Sequence, residues 1–239
     1  MKRSLQLILL MLISSSMNYL ADERVEDILT KVMEAHDPNG RWQNAQLDLH
    51  IQEPRVVNPF RYSIISLNNQ TGAFSLARNR DNHVASYDLD NAGKSTVKLD
   101  NKIIQDEALI KKYRLAPEMS AAYRGFYQFY YGLPMSLKTT KVTSHESSVT
   151  FNNQSAHRVS FELPAPVISP YWDLFFSATD YTMLGAIIRF PDEPEKNDLI
   201  LFQEYVDIDG INIPRIRHWH NESDRQYNGS DIIIKLLTD

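Results

Sequence analysis

The sequence predicts a mainly β (α+β) fold in which a curled antiparallel sheet or half-open barrel carries two helices across its concave face. Alternating apolar and polar residues recur between turn signals roughly every 8–12 residues, which is typical of an antiparallel sheet or barrel. Two other segments have apolar residues at helical spacing. A long sheet has to cover its inner face, and two amphipathic helices would supply that cover.

Length and composition agree with one globular domain. The chain has 239 residues, of which 43% are hydrophobic and 23% charged, an ordinary balance for a folded protein. The net charge is −5 and no basic block is present, so nucleic acid is not an expected partner. The chain contains no cysteine, which excludes disulfides and the lipid attachment that a lipoprotein signal requires.

The N-terminus has the layout of a secretory signal peptide. Lys2 and Arg3 precede an apolar run from Leu5 to Ile13, and small serines follow. Cleavage before Met17 and cleavage before Asp22 both fit, and an uncleaved N-terminal anchor is the alternative. The apolar run is shorter than the roughly 20 residues that span a bilayer.

We therefore predict a signal peptide over residues 1–21 and a single β domain over residues 22–239. The expected location is the periplasm of a Gram-negative bacterium, with no membrane span after the signal is removed.

The first helix is predicted directly after the signal. Its apolar residues recur at i, i+3, i+4, i+7 and i+8, which places them on one face; they are Val25, Ile28, Leu29, Val32 and Met33. The turn-forming run Asp37–Gly40 ends this helix.

Alternation then predicts strands over most of the remaining chain. Twelve segments show the pattern, near residues 47–51, 58–66, 72–79, 83–89, 96–104, 139–151, 156–163, 171–179, 184–190, 198–207, 211–220 and 230–237. The architecture predicted from them has roughly ten or eleven strands.

The second predicted helix begins near Pro117 and ends at Gly132. One face of it is unusually aromatic and consists of Met119, Tyr123, Phe126, Tyr127 and Tyr130. Such a stripe either fills the core or lines a pocket for an acyl chain or another apolar ligand. The abundance of tyrosine favours partial hydration, because a dry core leaves hydroxyl groups to satisfy.

Two further features invite chemical readings. His218 and His220 face the same way on a strand and would bind a metal only with a third ligand, for which His50 and Glu204 are candidates. Glu204 is in phase with an apolar face, which predicts either a general acid with a raised pKa, or a bulge or an ion pair with Arg215 or Arg217. We favour the second reading of Glu204.

His36 and Trp42 flank the first turn. Contact with a ligand is one interpretation, and the structural one has His36 capping the helix C-terminus while Trp42 packs beneath the turn.

Several segments, in this order, resemble the periplasmic lipoprotein-carrier (Lol-type) superfamily, and in particular a bacterial exported family of unknown function with that fold. They are Ala35-His36 followed by Trp42, the run 129–134 (Phe-Tyr-Tyr-Gly-Leu-Pro), the run 171–176 (Tyr-Trp-Asp-Leu-Phe-Phe) and the hairpin 201–214 around Asp209-Gly210. The resemblance implies the fold, an exported location and an apolar cavity, and it does not imply lipoprotein transport.

The function expected from these observations is non-catalytic carriage or binding of an apolar, lipid-like ligand. The alternatives are an envelope interaction or structural module without a ligand, and a metal-dependent enzyme. No catalytic residue, metal ligand or cofactor is assigned, since the common nucleophile and phosphate-loop motifs are absent from the sequence. The predicted ligand-binding residues are Met119, Tyr123, Phe126, Tyr127, Tyr130, Trp172, Trp42 and His36.

Overall fold

A computed structural model of the chain describes residues 23–234. The predicted signal peptide and the predicted end of the last strand beyond residue 234 lie outside the described residues. No helix within 23–234 has the length and apolarity needed to cross a membrane.

Twelve antiparallel strands form one sheet in the described chain, where counting predicted ten or eleven. They are β1 (Gln46–Gln52), β2 (Tyr62–Asn68), β3 (Phe74–Arg80), β4 (His83–Leu89), β5 (Ser95–Leu99), β6 (Lys141–Phe151), β7 (Gln154–Val167), β8 (Ser169–Ser177), β9 (Met183–Arg189), β10 (Asp198–Ile208), β11 (Ile211–Asn221) and β12 (Tyr227–Ile234).

The strand order is β5-β4-β3-β2-β1-β12-β11-β10-β9-β8-β7-β6. Neighbouring strands are joined by short hairpins, except where β12 returns to pair with β1 and closes the two halves into one sheet. Among the described strands β5 and β6 remain the outer edges, so the sheet is open and does not close into a barrel.

Within residues 23–234, three α-helices accompany the sheet, one more than predicted: α1 (Val25–His36), α2 (Glu107–Tyr113) and α3 (Met119–Tyr131). The additional helix, α2, has two turns, and the Asp106 side chain accepts a hydrogen bond from the Leu109 amide at its start. α1 buries Ile28 and Val32 and contacts β11.

The sheet curls around α3. This helix contacts β3, β4 and β5 near one edge of the sheet and β7 near the other. In a flat sheet, with strands about 4.8 Å apart, β4 and β7 would lie roughly 40 Å from each other. A single helix reaches both only because the sheet bends into a half-open barrel, which confirms the predicted fold class.

The main core fills the concave face. It joins buried residues of α1 and α3 to the inward-facing residues of the strands, for example Leu47, Leu49 and Ile51 of β1. A smaller cluster around Phe151 and Phe175 lies apart from this core, and those two rings stack 4.0 Å apart.

Candidate functional site

A cavity of about 580 Å³ lies between the first half of α3, the end of α2, the end of β3 and the loop that joins β1 to β2. Its volume falls within the roughly 300–1,000 Å³ that is common for small-molecule sites. The β1–β2 loop contributes Val57, which is 94% exposed, to the cavity lining, and Phe60 of the same loop is 82% exposed.

Four of the eight predicted ligand-binding residues line this cavity: Met119, Tyr123, Phe126 and Tyr127. Helical spacing puts them on one side of α3, and the rings support one another. Tyr123 packs edge-on against Tyr87 at 4.8 Å between ring centroids, and Phe126 meets Tyr127 at 5.1 Å. The first half of the aromatic stripe therefore forms a rigid cavity wall.

The second half of the stripe fills the core. Tyr130 has no exposed surface and packs against Trp219 with 5.5 Å between ring centroids. Burial raises its pKa well above the ordinary value. The structure therefore places Tyr130 away from the cavity that Tyr123 and Tyr127 line.

Trp172 and Trp42 are also buried outside the cavity. The Trp172 indole donates to the carbonyl of Ser169 at 3.0 Å and packs against Phe129 at 5.0 Å between ring centroids. Trp42 lies beneath the end of α3, where a Cβ on Gly132 would come within 2.2 Å of its ring. Trp42 is therefore a buried packing residue against the end of α3.

His36 is fully buried, and its ring joins α1 to two strands instead of capping the helix. Its Nε2 accepts from the Met183 amide at 3.1 Å, so Nδ1 carries the hydrogen and donates to the Asn212 carbonyl at 2.7 Å. Burial lowers the pKa of His36 to about 4. The predicted cap is wrong because both ring nitrogens bind backbone groups of β9 and β11.

The cavity carries more charge than the mainly apolar cleft that the sequence predicts. Six cationic side chains line it and only one acidic side chain, Asp81, does so; the cations are Arg55, Arg61, Arg78, Arg80, Lys112 and Arg114. The site therefore combines an aromatic wall with a cationic one.

Arg78 is the most buried of these cations, with 6% of its surface exposed. Its Nη2 donates to Glu53 at 2.9 Å and also to the Tyr127 hydroxyl, while its Nε donates to Ser63 at 2.8 Å. Arg61 reaches the same carboxylate at 3.2 Å. Burial alone would raise the pKa of Glu53, but the two guanidinium groups lower it below its ordinary value.

A second carboxylate, Asp231, holds Arg55. The Arg55 Nη2 lies 2.5 Å from Asp231, and the Trp219 indole donates to the same carboxylate at 2.8 Å. Arg55 also donates to the Ser230 carbonyl at 2.5 Å. The β1–β2 loop is thereby tied to β12, which fixes one side of the cavity mouth.

Arg80 and Arg114 differ from the other cations. Within residues 23–234, neither has an acidic side chain within 4.0 Å. Arg80 Nη2 donates to the Tyr123 hydroxyl at 2.6 Å, and its buried Nε has no hydrogen-bond partner in the structure. These two side chains contribute unneutralised positive charge to the cavity.

Sequence reasoning missed the cationic wall, although part of its signal was present. In β3, Phe74 and Leu76 face the core, and Arg78 and Arg80 continue the same two-residue period. Glu53 likewise continues the buried period of β1. Charged residues in phase with a buried face are a warning of an internal site.

Glu204 lies in β10, where the register with β11 is unbroken. Its φ is +51°, and the pairing with β11 passes from Gln203 opposite Ile216 to Tyr205 opposite Pro214. Its carboxylate forms an ion pair with Arg215 and is mainly exposed. The ion pair with Arg215 confirms the interpretation that the sequence analysis favoured, and the predicted alternative, a bulge, is absent at this position.

Each of the two histidines in β11 has its own hydrogen-bond partner, and the two do not converge on a shared site. His218 Nδ1 lies 2.6 Å from Ser230 Oγ, and His220 Nδ1 lies 3.1 Å from the Arg225 carbonyl. His50, one of the suggested third ligands, forms a hydrogen bond with the Tyr62 hydroxyl through its Nδ1. In the described part of the chain, no group of three or more His, Cys, Asp or Glu side chains is placed to hold a metal ion.

Solved structures of other proteins are similar to this chain. A LolA superfamily protein from Nitrosomonas europaea matches with a TM-score of 0.52 and 8% identity, over 88% of this chain and 91% of that one. A DUF1329 family protein from Desulfovibrio piger matches with a TM-score of 0.43 and 8% identity, over 87% of this chain and 91% of that one. The first similarity shows a shared fold.

A comparison with curated protein sequences gives no match. A family model matches residues 2–163, which is more than half of the chain and includes α1, α3 and the residues that line the cavity. The chain belongs to the family of unknown function that this model describes, DUF6503.

Proposed function

We propose that the protein is an exported, non-catalytic carrier or binding protein for a lipid-like ligand. The observation that carries this proposal is the 580 Å³ cavity with one wall made by the aromatic half of α3. Binding sites of this kind are concave, largely apolar and equipped with a few polar groups. Tyrosine provides both kinds of surface.

The apolar part of the ligand would lie against Met119, Tyr123, Phe126 and Tyr127. Phe126 and Tyr127 are held by ring contacts with each other and with Tyr130 and Tyr131 behind them. A wall that is rigid before binding loses little conformational freedom on binding. The shared fold with a LolA superfamily protein is compatible with carriage of such a ligand.

A cavity-filling substitution tests the proposal without disturbing the core. Ala122 is exposed and lines the cavity, whereas Ala121 is exposed on the same helix and does not line it. Ala122→Trp should weaken binding of the neutral fluorophore N-phenyl-1-naphthylamine at least about tenfold, roughly 1.4 kcal/mol. Ala121→Trp is the matched control and should bind the fluorophore like the wild type.

Two outcomes would refute the carrier proposal. One is the absence of saturable fluorophore binding to the wild type; the other is equal loss of binding in both tryptophan variants. Organic extraction of the purified protein followed by mass spectrometry should also yield a stoichiometric lipid-like molecule. A folded protein that neither binds the fluorophore nor yields a lipid-like molecule would instead favour an envelope interaction module without a ligand.

The location is part of the proposal. Residues 1–21 would direct export to the periplasm and then be removed, leaving residues 22–239 as the mature domain. A fusion of residues 1–21 to alkaline phosphatase should be active in cells, because that enzyme needs an oxidising compartment for its disulfides. An inactive fusion that is stably produced would contradict export.

A further inference from the structure

The charge of the cavity wall is opposite to that of the protein. The whole chain has a net charge of −5, yet six cations and one acidic residue line the cavity. A cleft that is lined by charges of one sign between walls of low dielectric raises the local concentration of ions and ligands of the opposite sign. This wall therefore attracts an anion.

Internal ion pairs neutralise only part of this charge. Glu53 is shared by Arg61 and Arg78, Asp231 binds Arg55, and Asp81 lies 3.5 Å from Lys112. Six cations therefore face three carboxylates. Three positive charges remain, and two of them are Arg80 and Arg114, the cavity cations that have no acidic partner among the described residues.

Arg80 is already oriented for a ligand. The Tyr123 hydroxyl accepts a hydrogen bond from Nη2 at 2.6 Å, which leaves the phenolic hydrogen free to donate. Arg80 Nε is buried and has no hydrogen-bond partner in the structure, which is unfavourable for a donor. An oxygen ligand in the cavity would accept one hydrogen bond from the guanidinium group of Arg80 and one from the Tyr123 hydroxyl.

The fork of a guanidinium group matches the two oxygens of a carboxylate or a phosphate better than a single hydroxyl or a carbonyl. Arg114 adds charge at the cavity entrance without closing it, because its side chain is exposed. Met119 and Phe126 lie in the same cavity and supply apolar surface. The cavity thus offers one region for a charged head and another for a tail.

We infer that the ligand is an anionic amphiphile whose carboxylate or phosphate head group binds Arg80 and Tyr123, with Arg114 contributing charge at the entrance. This inference rests on the proposed function and narrows its ligand class.

Matched ligands that share one tail test the head group. Laurate, dodecyl phosphate, dodecanol and dodecyltrimethylammonium would each displace N-phenyl-1-naphthylamine from the wild-type protein. We expect the two anions to bind at least about tenfold more tightly than dodecanol, because hydrogen bonds between charged groups are stronger than those to a neutral hydroxyl. The cation should bind more weakly than dodecanol. The ratio of laurate to dodecyl phosphate affinity identifies which head group the site prefers.

Arg80→Gln then tests the residue. This variant should lower laurate or dodecyl phosphate affinity about tenfold more than it lowers dodecanol affinity. Arg225→Gln is the matched control, since Arg225 is an exposed arginine in the turn between β11 and β12 and does not line the cavity. It should retain the full preference for anions.

The outcomes separate this inference from the proposal beneath it. Equal affinity for anions and dodecanol, with normal fluorophore binding, would overturn the anionic head group and leave the carrier proposal standing. A preference that survives Arg80→Gln unchanged would overturn the role of Arg80. If neither the fluorophore nor any of the four ligands binds, both the carrier proposal and the anionic head group are refuted. Circular dichroism verifies that each variant is folded.

Discussion

Removal of the negative charge from Glu53 provides the strictest test of the buried network at the cavity floor. Glu53 is 3% exposed and accepts hydrogen bonds from Arg61, Ser63 and Arg78. Glu53→Gln keeps the size of the side chain but leaves Arg78, itself 6% exposed, without a neutralising partner. The perturbation is therefore electrostatic and involves almost no loss of packing.

The expected loss of stability is large. Removal of one member of a buried ion pair costs about 3–5 kcal/mol, because the remaining charge stays buried and unpaired. The open cavity beside Arg78 allows some hydration, so we expect about 3 kcal/mol. For a typical urea slope of about 2–3 kcal/mol per M, the unfolding midpoint should fall by roughly 1–1.5 M.

Urea unfolding followed by circular dichroism measures this difference. Glu146→Gln is the control, since Glu146 pairs with Arg158 at a mainly solvent-exposed site and should cost at most about 1 kcal/mol. A loss below about 1 kcal/mol for Glu53→Gln would refute the argument that Arg78 depends on this carboxylate.

The difference in unfolding free energy between the wild type and Glu53→Gln should change with pH in a defined direction. The pKa of Glu53 is lowered in the folded protein, so its contribution is complete above the ordinary carboxyl pKa. It is lost as the pH falls through the lower, folded-state pKa. The difference between the wild type and Glu53→Gln should therefore shrink in acid, and a difference that grows in acid would contradict the assignment.

Two further predictions concern α1 and α3. Burial lowers the pKa of His36 to about 4, so the folded state resists protonation of this ring. The free energy of unfolding should therefore fall by about 2 kcal/mol between pH 7 and pH 5. If urea titrations of a His36→Gln variant show the same dependence of stability on pH, His36 is not the cause. Gly132→Ala, directly after α3, should lower the thermal midpoint markedly, because the new Cβ would lie 2.2 Å from Trp42. Gly125→Ala within α3 is the control. Its Cβ would meet no atom within 4 Å, and the substitution should stabilise the protein by about 0.5–1 kcal/mol. Equal effects of the two substitutions in a thermal melt would contradict the packing described at Trp42.

The secondary structure could be predicted well where a local pattern decides it. The twelve strand segments found by alternation correspond to the twelve observed strands, and the aromatic segment predicted to be a helix is α3 (Met119–Tyr131). α2 was missed because its seven residues are too few to show a helical period, although Asp106 before Glu107-Ala108 is a recognisable N-cap.

The candidate site could be predicted only in part. Met119, Tyr123, Phe126 and Tyr127 were found because one helix carries them all. The remaining predicted residues each satisfy a packing or backbone requirement that sequence patterns do not distinguish from ligand contact, as the two backbone hydrogen bonds of His36 show.

The cationic wall could not be predicted as a site because its members come from distant parts of the chain. Arg80 ends β3 and Arg114 follows α2, and the cavity brings them together only after the sheet has curled. The periodicity within β3 indicates which face Arg78 occupies, but it does not indicate what faces it across the fold.

The open edge of the sheet has a mechanical consequence. In a closed barrel the number of strands and their shear fix the diameter, so widening the interior would break backbone hydrogen bonds. Here β5 and β6 are free edges, and α3 packs against strands near both of them. The backbone hydrogen bonds of the sheet therefore do not fix the distance between its two edges, and the packing of α3 against strands near both edges sets the width of the interior instead.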